Sequence, residues 1–338
     1  MKLLTYDTGT GPRCGVLQGD SVVDVTALLG EPRTIRDVGA LLALDESPVD
    51  RVGDALAGGA AAPAVALDAV RLRSPILQPP TVRDFIVYEE HASSQGTREP
   101  NEVWYRMPVF YFSNTLCIYG PDDTVPFPST SDQYDYEMEI GAVIGKNGSD
   151  VSQADALSHI AGFCIFNDWS ARDVQFDEMA FGLGPAKGKD TASTLGPWVV
   201  TTDEMAPYIR DGRLTVKCQV RVNGESWLTD GDAAMAYYTW GEIVQRASKD
   251  SRIAPGDVIG SGTVGGGSVR EAIRKGYEAA RFLEPGDVVE MDVEGIGAVR
   301  NTLGEKRADA SYPFPAASPT AVPDRGTHTA YRYELRRG

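Results

Sequence analysis

The chain has 338 residues, of which 42% are apolar and 24% are charged, a composition typical of a globular protein with room for one large domain and a small one. Its formal net charge is −16, from 48 acidic and 32 basic residues. Nucleic acids and anionic membranes attract basic surfaces, so this balance argues against both as main partners.

Residues 1–72 are predicted to form a small N-terminal α/β domain. The runs LLTYD and RCGVLQGDSVVDV predict short strands, and TIRDVGALLAL and VDRVGDALAGG predict helices. An Ala/Gly/Pro-rich run then serves as a linker. The first residues lack the apolar core of a signal peptide, and no apolar run is long enough to span a bilayer. We therefore expect a soluble protein of the cytoplasm.

Residues 73–304 predict a second, β-rich domain. Many short apolar runs are broken by Gly and Pro, and LTVKCQVRV alternates apolar and polar residues as a half-buried antiparallel strand does. Helices are predicted for QADALSHIAG, AAMAYYTWGEIVQRAS and SVREAIRKGYEAARF. The class is α+β, a mixed β-roll or barrel with helices at its edges. Residues 305–338 form a Pro/Ser/Ala-rich tail to which we assign no chemistry.

The run DYEMEIGAVIG places several carboxylates beside an apolar stretch. On a strand, Asp135, Glu137 and Glu139 would share one face. At a separation of roughly 6 Å and an effective dielectric near 20, each neighbouring pair repels by about 3 kcal/mol. Either a solvated strand edge or a bound cation would relieve that repulsion.

Two further acidic positions favour the cation. Asp84 precedes the apolar run FIVY, and Asp168 follows the predicted strand GFCIFN. Together with Glu137 and Glu139 they place four carboxylates at strand boundaries. The chain has only three histidines, and none of its four cysteines forms a CxxC pair, so a hard, oxygen-bound ion such as Mg²⁺, Mn²⁺ or Ca²⁺ is expected.

Three basic residues near these carboxylates are candidate functional groups. His91 is followed by the polar run ASSQGTREPNE, which suits a mobile lid, although a plain surface histidine is the alternative. Lys189 lies among glycines that let an anion approach closely, and Arg172 is either a substrate ligand or a structural partner of Asp168 or Asp173.

The run Gly260-Ser261-Gly262-Thr263-Val264-Gly265 satisfies the GxGxxG pattern of dinucleotide-binding proteins. It is not embedded in repeated βαβ units, and two more glycines stand where the helix should begin. We favour a turn that lines the metal pocket, with Thr263 pointing inward, over a site for NAD.

The motifs DYEMEIGAVIG, NDWSARDVQ, GLGPAKGKDTASTLGPWVVT, GDVIGSGTVG and PGDVVEMDVEGIGAVRN resemble, in this order, the fumarylacetoacetate hydrolase family. The resemblance covers most of the chain. It implies a mixed β-roll catalytic domain, a homodimer, and a divalent metal ion (Mg²⁺ or Mn²⁺, with Ca²⁺ as a further option) held by carboxylates.

The resemblance also implies roles for individual residues. Metal ligation falls to Asp84, Glu137, Glu139 and Asp168, and the catalytic groups are His91, Glu271 and Lys189. Substrate oxygens are expected to meet Arg172, Gln175, Tyr111 and Thr263. Ile86 stands where fumarylacetoacetase has a tyrosine, so we expect a different small keto-acid or diketone substrate.

The leading hypothesis is a metal-dependent hydrolase that cleaves a C–C bond in a β-diketo acid or acylpyruvate. The metal would chelate the two oxygens of the substrate's 1,3-dicarbonyl as an enolate-like pair. His91, oriented by Glu271, would activate water. A decarboxylase, hydratase or tautomerase of a 2-oxo or enol acid is the alternative on the same scaffold. A purely structural cation and an NAD-dependent oxidoreductase are the remaining hypotheses.

Overall fold

The computed structural model describes residues 1–94 and 99–308. The strands in these ranges are Lys2–Asp7 (β1), Pro12–Gln18 (β2), Ser21–Asp24 (β3), Ala64–Ala66 (β4), Arg71–Arg73 (β5), Val82–Phe85 (β6), Phe110–Phe112 (β7), Ile118–Tyr119 (β8), Thr124–Val125 (β9), Tyr134–Asp135 (β10), Met138–Ile144 (β11), Ile160–Asp168 (β12), Ser170–Ala171 (β13), Ser193–Thr201 (β14), Ile209–Arg210 (β15), Arg213–Leu214 (β16), Lys217–Val222 (β17), Glu225–Asp232 (β18), Val258–Gly260 (β19), Val288–Val293 (β20) and Gly297–Leu303 (β21). The α-helices are Val25–Leu29 (α1), Val38–Leu42 (α2), Pro48–Ala57 (α3), Glu89–Ala92 (α4), Glu102–Arg106 (α5), Ala156–His159 (α6), Arg172–Phe181 (α7), Thr202–Met205 (α8), Trp240–Ser248 (α9) and Val269–Arg274 (α10).

A large mixed sheet organises the molecule. Its strand order is β4-β3-β2-β1-β14-β12-β11-β19-β6-β7, with β5 added beside β1 and β8 beside β14. Most neighbours are antiparallel, whereas β19 and β6 run parallel. The path has two ends, so in the described residues this sheet stays open and does not close into a barrel. The predicted α+β class with a mixed sheet is confirmed.

A second sheet, in the order β18-β17-β20-β21-β9, packs against the first. The larger apolar core combines side chains of β11 and β12 with those of β17 and β20 and of helix α9. Strand β17 alternates exposed and buried residues along its length, as its sequence predicts.

The N-terminal strands are part of the large sheet. Strand β1 pairs with β14, and a separate apolar cluster joins helices α1 to α3 with residues of β11, β12 and β14. The domain boundaries at residues 72 and 304 stay a prediction. The predicted tail falls, from residue 309 onward, outside the described residues, and so do residues 95–98 of the predicted lid.

Helices α2, α6, α9 and α10 are shorter than their sequences predict, and local capping explains the last two. Helix α9 begins only at Trp240 because Thr239 and Glu242 form a capping box. Helix α10 ends at Arg274 because Gly276 follows with a φ of +75°, in the left-handed region. None of the helices in the described ranges is long and apolar enough to cross a membrane.

Candidate active site

The carboxylates of DYEMEIGAVIG do not lie on one continuous strand. Strand β10 ends at Asp135 and β11 begins at Met138, with Glu137 in an isolated bridge between them. Strand β11 is buried along its whole length because β12 and β19 flank it and apolar clusters cover both of its faces. The relative exposure of Asp135, Glu137 and Glu139 is at most 3%. A solvated strand edge therefore does not explain these carboxylates.

Neighbouring strands bring the predicted metal ligands together. Asp84 lies on β6, Glu139 on β11, and Asp168 is the last residue of β12. One oxygen each from Asp84, Glu137 and Glu139 forms a group whose members lie within 4.8 Å of one another. Asp168 joins these three side chains through the Tyr111 hydroxyl, which lies 2.6 Å from Asp84 Oδ2 and also contacts Asp168 Oδ2. We call the four side chains Asp84, Glu137, Glu139 and Asp168 together the carboxylate group.

Three oxygens of the carboxylate group, each from a different side chain, could serve as ligands of a cation. Asp84 Oδ1, Glu139 Oε1 and Asp168 Oδ1 are buried and find no hydrogen-bond partner among the described residues. Buried acceptors in folded proteins almost always have a partner. Convergent carboxylate oxygens are the ligands that hard divalent ions prefer, so the donor set fits Mg²⁺, Mn²⁺ or Ca²⁺.

The positive charges of protein side chains offset the negative charges of the carboxylate group unevenly. Burial, followed by the charge of Asp168, raises the pKa of Asp84 well above its ordinary value. Burial, followed by the charge of Asp84, does the same to the pKa of Glu139. Burial also acts on Glu137, but Arg172 and Lys189 outweigh it and lower the pKa of that carboxyl. A cation would therefore be most stabilising beside Asp84 and Glu139.

The two protein cations contact the carboxylates directly. Lys189 Nζ lies 2.6 Å from both Glu137 Oε2 and Asp168 Oδ2. Arg172, the first residue of α7, places its Nη2 2.6 Å from Glu137 Oε1 and donates from Nη1 to Gln175. Arg172 thus pairs with neither Asp168 nor Asp173, the two structural partners considered from the sequence.

His91 lies in α4 between two carboxylates. Its Nδ1 is 3.3 Å from Glu271 Oε1, and its Nε2 is 3.6 Å from Glu137 Oε1. Ser268, the N-cap of α10, donates to Glu271 Oε2 and fixes that side chain. A carboxylate at Nδ1 favours the Nδ1–H tautomer, which leaves the Nε2 lone pair directed toward the carboxylate group.

These neighbours also change the basicity of His91. Burial alone would lower the pKa of the ring, but the charges of Glu271 and Glu137 outweigh burial and raise it. The ring is therefore a stronger base than free imidazole.

Asp135 is a positioning residue to which the sequence analysis gives no role in the site. This fully buried carboxylate accepts from Arg172 Nε at 2.7 Å and from the backbone N–H of Val269, also at 2.7 Å. It thus connects Arg172 to the helix that carries Glu271. The available signal was its alternation with Glu137, which put both carboxylates on one strand face.

The glycine-rich turn lies over the carboxylate group. Gly262, with a φ of +85°, donates its N–H to Glu139 Oε2 at 2.8 Å. A Cβ at Gly260 would lie 2.5 Å from Asp84 Oδ1. Close approach of these carboxylates explains the glycines without a dinucleotide. Thr263 is buried here, and its hydroxyl has no hydrogen-bond partner among the described residues.

We expect Gly262→Ala to destabilise the fold more than a matched glycine change. Gly224, in the β17–β18 turn, has a φ of +83°, and a Cβ at that residue would have nothing within 4 Å, whereas a Cβ at Gly262 would lie 2.4 Å from the Phe85 carbonyl oxygen. Gly224→Ala should cost about 1–2 kcal/mol for its backbone conformation alone. Gly262→Ala should cost a further 1–3 kcal/mol or so by overpacking. Urea unfolding measures both, and equal losses would contradict the close approach.

Most of the chain matches the sequence profile of a known family. Residues 81–304 match the sequence profile described as fumarylacetoacetate (FAA) hydrolase C-terminal. The chain belongs to the fumarylacetoacetate hydrolase family. It is an enzyme of that superfamily, and its strand arrangement and buried carboxylates agree with the resemblance of its motifs.

Relatives in the fumarylacetoacetate hydrolase family carry different activity names. A fumarylacetoacetate hydrolase domain-containing protein 2 homolog of Dictyostelium discoideum is 30% identical over 90% of this chain and 97% of its own. An oxaloacetate tautomerase of Bos taurus, FAHD2A, mitochondrial, is 31% identical over 87% of this chain and 88% of its own. The family membership alone therefore leaves hydrolase and tautomerase chemistry open.

A solved structure shares the fold. Maleylpyruvate hydrolase from Sphingobium sp. SYK-6, in complex with manganese(II) ion and pyruvate, superposes with a TM-score of 0.69 over 91% of this chain and 100% of its own, at 22% identity. At that identity the likeness supports the fold of the fumarylacetoacetate hydrolase family and nothing finer.

A cavity of about 300 Å³ adjoins the carboxylate group. His91, Arg172, Gln175 and Glu271 line it, so four of the predicted catalytic and substrate-binding residues share one space. Lys189, Tyr111 and Thr263 are not among its lining residues. The first two contact the carboxylates directly.

Proposed function

We propose that this chain is a divalent-metal-dependent hydrolase that cleaves a C–C bond in an acylpyruvate-type β-diketo acid. The observation that carries the proposal is the His91–Glu271 pair, whose Nε2 is directed toward Glu137 and the carboxylate group. Hydrolysis needs a base for water at that place, and the His91 Nε2, with Nδ1 held by Glu271, is placed to accept that proton.

The residues proposed to hold the metal ion are Asp84, Glu137, Glu139 and Asp168. When bound, the ion would act as a Lewis acid on the substrate oxygens. Arg172 and Gln175 are proposed to bind the substrate carboxylate, and Lys189 to stabilise developing negative charge. The Tyr111 and Thr263 hydroxyls are proposed to contact the remaining substrate oxygens.

In this mechanism His91 carries out both proton transfers, first from water and then to carbon. Its Nε2 takes a proton from water, and the water oxygen forms a bond to the acyl carbonyl carbon. The bond between that carbon and the central methylene then breaks, and its electron pair stays on the methylene. The His91 imidazolium returns the proton to this carbon, which yields pyruvate and a carboxylic acid.

Tautomerisation of a 2-oxo acid is the second candidate, favoured by the similarity to the Bos taurus oxaloacetate tautomerase. Decarboxylation and hydration stay open in the same group of reactions. Water attack depends on a base at His91, whereas metal-assisted decarboxylation depends on it far less. A homodimer and a cytoplasmic location stay predictions from the sequence.

The test is turnover of acetylpyruvate by chelator-treated protein with and without added Mg²⁺ or Mn²⁺. We expect metal-dependent loss of the enol absorbance together with equimolar acetate and pyruvate. Loss of absorbance without acetate would contradict hydrolysis and favour tautomerisation. Oxaloacetate is then the next compound, with keto–enol exchange and CO₂ release followed separately.

A further inference from the structure

The turn that carries Lys189 is held by a carboxylate to which the proposed reaction gives no role. Glu178 Oε2 accepts from the backbone N–H groups of Ala186 and Gly188, each at 3.0 Å. Glu178 Oε1 accepts from the backbone N–H of Lys187 at 2.7 Å. Three consecutive N–H groups that point at one anion form a nest, a backbone concavity that binds negative charge. Glu178 therefore fixes the three residues directly before Lys189.

A short glycine-containing loop brings this turn back against helix α7. Gly182 caps the helix with a φ of +94°, and Gly184 follows with a φ of +81°, both in the left-handed region that favours glycine. The returning chain lies so close to the helix that a Cβ at Gly188 would be 2.7 Å from Gln175 Cα. Glu178 lies three residues after Gln175, on the same helix face, and therefore meets the same turn.

The turn also sets where the Lys189 side chain begins. This side chain is 3% exposed, and its Nζ lies 2.6 Å from an oxygen of each of two members of the carboxylate group. Lysine has a flexible stem, so the position of Nζ depends on a backbone that stays in place. Glu178 holds that backbone before Lys189, and Asn114 holds it afterwards by donating to Asp190 Oδ1 at 2.9 Å.

We propose that Glu178 is a positioning residue whose carboxylate fills the three-donor nest and thereby sets the place of the Lys189 ammonium. The inference rests on the proposed function for the use of Lys189, which is to stabilise developing negative charge. Loss of the Glu178 carboxylate leaves three N–H donors without their acceptor, so the turn shifts and Nζ moves with it. A displacement of about 1 Å at a catalytic group costs roughly 100-fold in rate.

Two replacements of Glu178 and one control test this role. Glu178→Ala removes the acceptor, and Glu178→Gln keeps one oxygen for the nest without its charge. Asp177→Ala is the control, since Asp177 is an exposed carboxylate at the neighbouring position of α7. Sodium formate is the probe that refills the empty nest, and sodium chloride matches its ionic strength. All measurements use the full chain with Mn²⁺ present, and formate added to the wild-type protein corrects for its binding to the metal.

Reductive methylation of Lys189, located by peptide mass spectrometry, reports the position of this side chain without turnover. The side chain of Lys217, on β17, is 58% exposed and calibrates the reagent. In Glu178→Ala we expect Lys189 to react about 10-fold or more faster relative to Lys217, as for loss of one charge-assisted hydrogen bond. Formate should reverse most of this gain. Glu178→Gln should give an intermediate rate, and Asp177→Ala should match the wild-type protein.

Steady-state kinetics with acetylpyruvate give the second measurement. In Glu178→Ala, kcat should fall by about 10- to 100-fold with little change in KM, because the affected group acts on charge that develops in the transition state. Formate should restore part of the loss. In a Lys189→Met background, Glu178→Ala should have no further effect on kcat, since a residue that acts through another has nothing left to position.

Unchanged methylation of Lys189 in Glu178→Ala would overturn the inference. Faster methylation of both Lys189 and Lys217, or a gain that formate does not reverse, would also overturn it, because general damage to the fold is then the cause. The two proposals fail separately. Formate-reversible exposure of Lys189 in a protein that does not cleave acetylpyruvate would refute the hydrolase and leave the positioning role standing. Cleavage by Glu178→Ala at the wild-type kcat, with Lys189 still protected, would do the reverse.

Discussion

Replacement of His91 by alanine is expected to lower kcat for acylpyruvate cleavage by about 10²- to 10⁴-fold, the usual contribution of a general base. The reason is geometric, because Nε2 is the imidazole nitrogen that faces the carboxylate group while Nδ1 is paired with Glu271. Affinity for Mn²⁺ should change little, since His91 is not one of the proposed ligands. Acetate and pyruvate release measures the first quantity, and calorimetric titration with Mn²⁺ measures the second.

His159 supplies the control for this substitution. It is the last residue of α6, and its Nδ1 lies 3.3 Å from the Lys146 carbonyl oxygen, away from the carboxylate group. His159→Ala should keep wild-type kcat. If His91→Ala kept more than about a tenth of the activity, well outside the range for a lost general base, the water-activating role would be wrong. A tautomerase or decarboxylase mechanism would then be the better account.

Replacement of Glu139 by glutamine is expected to stabilise the metal-free protein and to remove its response to metal. Glu139 is fully buried beside Asp84, and burial together with the charge of Asp84 raises its pKa, so keeping this carboxyl ionised costs the metal-free protein stability that glutamine would restore. Glutamine keeps an acceptor for the Gly262 N–H, which bonds Glu139 at 2.8 Å. Mn²⁺ affinity should fall by more than the roughly 10- to 100-fold typical of losing an outer partner of a metal ligand.

Thermal unfolding with and without Mn²⁺ measures this effect. At 100 times the dissociation constant, a bound ion adds about 2.7 kcal/mol to the free energy of unfolding of the wild-type protein. Glu139→Gln should show almost none of this gain at the same Mn²⁺ concentration. Glu225→Gln, at an exposed position of β18, is the matched control and should keep the gain. The same metal-induced shift in both variants would show that Glu139 is not a ligand.

Some local structure follows directly from the sequence. Strand β17 has the alternating burial that LTVKCQVRV predicts, and the Asn223-Gly224 turn that joins it to β18 has positive φ at both residues, as an Asn-Gly hairpin does. Helix ends were harder to predict. In α9 the pattern of apolar residues continues upstream, but the capping box at Thr239 and Glu242 decides where the helix starts.

The predicted strand DYEMEIGAVIG shows the limit of local patterns. Alternation correctly grouped Asp135 with Glu137, yet it did not show that the strand is interrupted between them. It also did not show that Asp135 binds Arg172 while Glu137 faces Asp84 and Glu139. Those pairings depend on α7 and β6, which are distant in the chain.

The sequence by itself determined the chemistry available to this protein. A hard cation is already favoured by the few histidines, the absence of a CxxC pair and the carboxylates at the ends of apolar runs. The motifs identify the family. The tertiary structure decided which groups act together. The strand order β12-β11-β19-β6 sets the carboxylates within reach of one another, and α10 brings Glu271, Arg270 and Arg274 to the same cavity as His91. Side-chain periodicity depends on neighbouring residues alone, whereas these distances arise from pairing and packing between segments far apart in the chain.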